Sequence, residues 1–407
     1  MRVVIVGQYY WPDSFTINEI AEDLVKKGHT VKVLTGLPDY ATNEIPDEFK
    51  HGKRRHEIRN GVEIFRVSIH PRHTGVFHRV WNYLSFYINS SLFAKHHTKE
   101  LDCDVVMAYQ TAPALMGNAA IVLKKKIHKK LLFYCMDIWP DQMKVWNVGE
   151  KNILFKIMKK YCQYAYGSGD ILAVSSRPFT EYMVDVNKVD KDKIVYLPNH
   201  YDSIDDDNQE QKEKINKDCV DLILAGNIGQ QQNVECLLKA VALIKTDKNY
   251  HIHIYGEGTS FGDCKKLAEE LDVLNNVTFY GRVPKEKLKD IYPQMDAFIL
   301  TLCSEKQIGY VANTVPSRLQ GYMTVGKPII ASIDGGAREI INEVKCGIAV
   351  PADDEKAFAE ALTEFIENKD NYNECGLRAK KYFKENFERS VVMNRIEGYL
   401  KELAEVE

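Results

Sequence analysis

The chain has 407 residues, 45% of them hydrophobic, and 54 Lys plus Arg stand against 57 Asp plus Glu for a net charge of −3. That length suits two α/β domains of roughly 150 to 200 residues with sizeable cores, and the near balance of charge argues against nucleic-acid binding by the whole chain. The nine cysteines stand singly, with no pair at metal-ligand spacing, as reduced core residues do.

The opening MRVVIVGQYYWPD is one strand followed by polar positions, too short for a signal peptide or a membrane span, so a cytoplasmic location is expected. Arg2 to Val6 is the strand, Gly7 ends it, and a loop from Gln8 to Ser14 leads into a helix through Lys27. Gly28-His29 closes the helix and Val31 to Leu34 is the next strand, a βαβ unit whose ligand edge is the C-terminal edge of the sheet. The loop carries Tyr9, Tyr10 and Trp11 instead of a G-x-G-x-x-G fingerprint, which argues against a nicotinamide cofactor.

Residues 62–69 predict a strand, and Arg79 to Phe93 predicts an aromatic helix with Trp81, Leu84, Ile88 and Leu92 on one face. Lys50 to Glu100 holds ten Lys or Arg against Glu57, Glu63 and Glu100, with seven of the twelve His. With Phe77, Trp81, Tyr83, Phe86 and Phe93 this block suits an anionic membrane surface; the plainer reading makes the aromatics the core face of an amphipathic helix. Strands at Asp104–Ala108 and Leu131–Met136, separated by a helical stretch at 114–126, are followed by Ile171–Val174 and Ile194–Tyr196. Together these predict a first sheet of about six or seven strands.

The segment from Asn199 through the acidic run Ser203–Lys217 reads as a linker. A second α/β series follows, with strands at 220–225, 251–255, 277–280, 297–301, 328–331 and 347–350 and helices near 233–245, to about 272, and at 285–293. Residues 354–368, 371–386 and 389–404 predict three closing helices. Domains are therefore expected at 1–198 and 218–388, with 199–217 as linker and about 389–407 returning to the first.

Residues 315–341 concentrate the signals for phosphate. Pro316 suits a helix start and Gly326 its end; a buried strand follows, and Gly335-Gly336 opens a helix from Ala337. Two helix N-termini would then face one crevice. Glycine loops at Gly226–Gly229 and Gly256–Gly258, together with Arg282, Ser317 and Arg318, fall at the same sheet edge. Glycines there would expose N–H groups and the arginines would grip a diphosphate; each glycine singly could instead do no more than end a strand.

These marks together resemble the GT-B glycosyltransferases of family 4, and within them the WbuB-type branch of O-antigen and capsule enzymes. The resemblance covers nearly the whole chain: Tyr9-Tyr10-Trp11-Pro12-Asp13, Lys27-Gly28-His29, Pro38-Asp39-Tyr40 and Asp137-Ile138-Trp139-Pro140 in the first half. In the second half it rests on Gly226-Asn227-Ile228-Gly229 with Gln232, Tyr255-Gly256-Glu257-Gly258, Gly281-Arg282-Val283-Pro284, and Val315-Pro316-Ser317-Arg318 running to Gly326-Lys327-Pro328. It implies two Rossmann-like, doubly wound α/β domains facing a central cleft. It also implies transfer from a nucleotide-sugar with retention of configuration and no bound metal or cofactor.

There are departures from that pattern. The two Glu that the family usually carries fall on Asn313 and Gly321, and its diphosphate-gripping Arg and Lys fall on Asn227 and Gln232. Donor binding is expected from Gly226, Asn227, Gly229, Gln232, Gly256, Gly258, Arg282, Ser317, Arg318, Gly335, Gly336 and Glu339. Glu339 has a second reading, as a carboxylate favoured at a helix start by the dipole alone. Asp137 stands where relatives often have a His and is a candidate base, or a cap of its own turn; Asp13 is a second candidate base. The resemblance implies a UDP-sugar donor, with a sugar such as an N-acetylated deoxyhexose, and a lipid-linked glycan acceptor at the inner membrane face. A GT-B UDP-sugar 2-epimerase and a non-catalytic sugar-nucleotide or glycan-binding component are the alternatives.

Overall fold

The computed structural model describes residues 1–203 and 218–405; most of the expected linker thus lies outside the described residues. The chain divides into two compact units, Met1–His200 with Val392–Glu407, and Tyr201–Val391. Each is a Rossmann-like layer of strands with helices on both faces.

The first unit holds β1 (Arg2–Val6), β2 (Thr30–Gly36), β3 (His56–Arg59), β4 (Val62–Val67), β5 (Val105–Gln110), β6 (Lys130–Cys135), β7 (Ile171–Val174) and β8 (Ile194–Tyr196). Their order is β3-β4-β2-β1-β5-β6-β7-β8, parallel throughout except for β3 against β4. Sequence periodicity missed β3, a half-exposed edge strand. Its signal was the Asn60-Gly61 link: both residues have positive φ, 49° and 81°, as a two-residue hairpin turn needs.

β5 is buried at all six positions, as a strand covered by helices on both faces must be. Against this sheet the Thr16–Lys26 helix buries Ile17, Ile20, Ala21 and Leu24. The Arg389–Glu405 helix adds Val392, Met393, Ile396, Leu400 and Leu403 to the same core. Lys27 and His29 both reach Glu397 on that helix, at 3.0 and 2.9 Å.

The Val76–His96 helix splits the plainer expectation: Phe86 is buried and Tyr83 and Phe93 are half-buried, but Phe77 and Trp81 face outward. Trp81, Ile88 and Leu92 are 46%, 46% and 50% exposed, whereas Asn82, Phe86, Ser90 and Ala94 face inward. Polar pairing holds this face down. Gln8 Nε2 donates to Asn82 Oδ1 (2.6 Å), and Asn82 Nδ2 donates to Asp39 Oδ2 (2.6 Å) and to the His70 carbonyl (2.7 Å).

The second unit holds β9 (Val220–Ala225), β10 (Tyr250–Tyr255), β11 (Val277–Gly281), β12 (Ala297–Thr301), β13 (Ile329–Ser332) and β14 (Gly347–Val350). The order β11-β10-β9-β12-β13-β14 is parallel throughout and reverses direction between β9 and β12. Such a switch point opens a crevice at the C-terminal ends of its two strands, where open α/β sheets bind ligands. All nine cysteines are free and eight are buried.

Candidate active site

The crevice between β9 and β12 is spanned by one side chain. Arg318 lies in the first turn of the Ser317–Val325 helix, which Pro316 precedes in an extended conformation. Its Nη2 donates to the Thr301 carbonyl at the end of β12 (2.9 Å). At the end of β9 a Cβ on Gly226 would lie 2.7 Å from Arg318 Cδ, so only glycine lets the arginine cross. Arg318 Nη1 is buried without a hydrogen-bond partner, and the guanidinium forms no ion pair with a described residue. Burial lowers its pKa below the ordinary arginine value. A buried, unpaired cation is costly, and an anionic ligand would relieve it. Tyr322 fixes the same corner: its hydroxyl donates to the Ala225 carbonyl (3.0 Å) and accepts the Ala225 N–H (2.9 Å).

The glycine loops are built differently from expectation. The Gly226 N–H donates to the Tyr255 carbonyl (2.9 Å), and the Gly256 N–H to the Gly281 carbonyl (2.8 Å). The Gly229 N–H and the Asn227 amide both go to Gln232 Oε1 (3.2 and 3.0 Å). These N–H groups hold loop to loop. The glycines are required because backbones meet: a Cβ on Gly256 would lie 1.8 Å from the Gly226 oxygen, and one on Gly258 2.3 Å from the Ile228 oxygen. The loops wall a cavity of about 550 Å³ lined by Gly226, Asn227, Tyr255, Gly258 and the exposed Arg282.

The helix after β13 begins at Gly335, two residues earlier than expected, with Asp334 as its N-cap residue. Gly335 has φ 61° and its Cβ position lies 2.3 Å from Asn313 Oδ1, so Asn313 packs directly against this turn. Gly336 is buried; Ser317 and Glu339 are exposed.

In the first unit the two carboxylates proposed as bases part company. Asp13 is buried, and its oxygens accept the N–H groups of Asp39, Tyr40 and Ala41 at 3.2 Å each, which makes it a brace for the loop after β2. Asp137, just beyond β6, has a carboxylate with no hydrogen bond to a described residue, so it does not cap its turn. Burial pushes its pKa up to about 6. Its backbone is fixed instead: the Asp137 carbonyl accepts from Gln110 Nε2 at 2.8 Å. Sequence reasoning passed over Thr301, Tyr322 and Asn82, whose partners lie far along the chain and leave no local pattern.

Residues 205–382 match the family described as Glycosyl transferases group 1. Two curated relatives extend the likeness beyond the matched residues 205–382. A probable glycosyltransferase, WbjE, of Pseudomonas aeruginosa is 27% identical over 274 residues, 65% of this chain and 66% of that protein. A GalNAc-alpha-(1->4)-GalNAc-alpha-(1->3)-diNAcBac-PP-undecaprenol alpha-1,4-N-acetyl-D-galactosaminyltransferase of Campylobacter jejuni is 28% identical over 217 residues, 53% of this chain and 55% of that protein. Among solved structures, Anabaena HepE with UDP superposes with a TM-score of 0.70 at 12% identity, covering 99% of this chain and 100% of that one. A Rickettsia africae glycosyltransferase gives 0.68 at 16% identity, covering 100% and 99%. The fold expected from sequence therefore stands: two Rossmann-like α/β domains with parallel sheets, like those of GT-B glycosyltransferases.

Proposed function

We propose that this protein transfers a sugar from a UDP-sugar to a lipid-linked glycan, with retention of configuration and without a resident metal, in cell-surface polysaccharide assembly of the WbuB type. The observation that carries this reading is Arg318, whose buried Nη1 lacks a partner at the β9/β12 switch point. An anion seated there restores the missing partner, and Arg282, on the wall of the cavity that Gly226 lines, offers a second charge. During transfer the bond between the sugar C1 and the diphosphate oxygen breaks while C1 bonds to the acceptor oxygen. Negative charge grows on the departing diphosphate, where fixed cations stabilise it. The acceptor hydroxyl's proton needs a base, and Asp137 has an uncommitted carboxylate whose pKa burial pushes up to about 6. The relatives lend support: HepE is solved with UDP, and the Campylobacter enzyme's name gives a diphosphate-linked lipid acceptor.

The test is incubation with a panel of UDP- and GDP-sugars, with and without a polyprenyl-diphosphate acceptor. Release of UDP that requires the acceptor, with the product keeping the donor's anomeric configuration, is expected. Epimerised donor formed without acceptor overturns the reading in favour of an epimerase, and nucleotide binding without turnover overturns it in favour of a binding component.

A further inference from the structure

Strands β9, β10 and β11 carry a half-exposed polar face at the edge of the second sheet, where a parallel sheet under helices is ordinarily apolar. On it Asp221, His253 and Tyr280, one from each strand, form a single chain of hydrogen bonds. His253 Nε2 lies 2.9 Å from Asp221 Oδ1, and His253 Nδ1 lies 2.9 Å from the Tyr280 hydroxyl. A carboxylate only accepts, so Nε2 carries the ring proton and donates it, and in the neutral imidazole Nδ1 accepts from the Tyr280 O–H. His251 stands beside His253, ring centroids 4.9 Å apart, with its own Nε2 2.8 Å from Thr278 Oγ1.

The backbone aims the tyrosine at this base. Phe279 pairs with Ile254 and Gly281 with Tyr255, which leaves Tyr280 as the extra residue of a β-bulge on the edge strand. Bulges re-aim a side chain. Here the ring lies over β10, stacked on Tyr255 at 4.4 Å and on His253 at 5.6 Å. Tyr280 is 45% exposed, whereas the His253 and Asp221 side chains are 15% and 17% exposed. A hydroxyl that meets solvent, a sheltered base within hydrogen-bond reach and a carboxylate that orients the base are the parts of an activated nucleophile.

We propose that Asp221, His253 and Tyr280 form a modification site at which the Tyr280 oxygen takes a phosphoryl group from an activated phosphoryl donor. The neighbouring charge points to that class. Arg282, two residues on and exposed, offers phosphoryl oxygens a cation. In the step the Tyr280 oxygen bonds to phosphorus and the bond from phosphorus to the leaving group breaks, its electron pair going with the leaving group. The tyrosine proton passes to His253 Nδ1, and Asp221 stabilises the imidazolium that forms. The site does not depend on the sugar transfer proposed above, and failure of either leaves the other standing.

The full chain is treated with diisopropyl fluorophosphate, a phosphoryl donor whose leaving group is fluoride, and its tyrosines are followed by peptide mass spectrometry. Tyr280 is expected to label about a hundredfold faster than Tyr40 and Tyr164. Those two are equally exposed, at 46% each, and lie beside a cation, Arg72 or Lys125, but neither hydroxyl bonds to a described histidine. H253Q should remove the advantage and D221N most of it, with the melting temperature of wild type. Labelling of Tyr280 no faster than that of Tyr40 and Tyr164 overturns the proposal, as does an undiminished rate in folded H253Q. The comparison among the three tyrosines is made within one wild-type chain, so it decides even where a variant fails to fold.

Discussion

The Tyr201 hydroxyl occupies the space into which a side chain at position 321 would grow: a Cβ on Gly321 would lie 3.0 Å from Tyr201 Oη and 3.1 Å from Cζ. Tyr201 is itself anchored, its N–H donating to the Phe387 carbonyl at 3.0 Å. The glutamate that the family resemblance leads one to expect at this helix position would press on an aromatic ring, which must shift to admit it.

Restoring that glutamate should therefore cost stability. Gly321→Glu is expected to destabilise the protein by about 1 to 3 kcal/mol through overpacking, and Tyr201→Ala in the same chain should recover part of the loss. Urea denaturation of the two single variants and the double measures the coupling. Additive effects, or a Gly321→Glu chain as stable as wild type, would show that the ring yields freely.

Arg318→Ala should weaken UDP binding by about 1 to 3 kcal/mol, the usual range for a charge-assisted hydrogen bond. Without nucleotide it should cost little stability, since it removes a buried cation whose Nη1 is unpaired. Titration calorimetry and denaturation read the two effects separately. Unchanged UDP affinity would reduce Arg318 to a packing partner of Gly226.

Asp137→Asn should lower the transfer rate by about 10² to 10⁴ while leaving donor affinity unaltered. A base with its pKa pushed up to about 6 must lose its proton to act, so wild-type activity should rise with pH through that value. The variant should lack this limb. Asp13→Asn should instead lower stability, because three backbone N–H groups lose a charged acceptor. A pH limb that survives in Asp137→Asn would assign the titration to another group.

Asp39 gives stability a pH dependence of its own. Burial, first, and the neighbouring Asp13 push its pKa up to about 7, against about 4 in an unfolded chain. Between those values the folded state keeps a proton that the unfolded state has released. Its stabilising contribution is therefore full below about pH 4 and is lost as pH rises through about 7. The swing is at most about 4 kcal/mol from three pKa units, less any relaxation around the charge. Urea midpoints of wild type should fall from pH 5 to 8, and Asp39→Asn should flatten that slope; an equal slope in the variant would acquit Asp39.

Strands buried on both faces were legible because continuous apolar runs have few other uses: β1, β7 and β9 were found to the residue. Glycine positions were legible too, but their purpose was not. Gly256 reads as an opening toward phosphate, and only the 1.8 Å approach of the Gly226 oxygen to its Cβ position reveals backbone packed on backbone.

The sequence by itself determined the two α/β series and the glycine loops gathered at one edge of the second sheet, since these follow from local periodicity and turn chemistry. Tertiary structure alone decided which side of the Val76–His96 helix faces water, for the apolar stripe predicts burial until Asn82 finds Gln8 and Asp39. It alone separated Asp137 from Asp13, two carboxylates alike in sequence. One meets three backbone N–H groups and the other meets none, and a carboxylate's hydrogen-bond partners and burial set whether it braces a loop or remains free to take a proton.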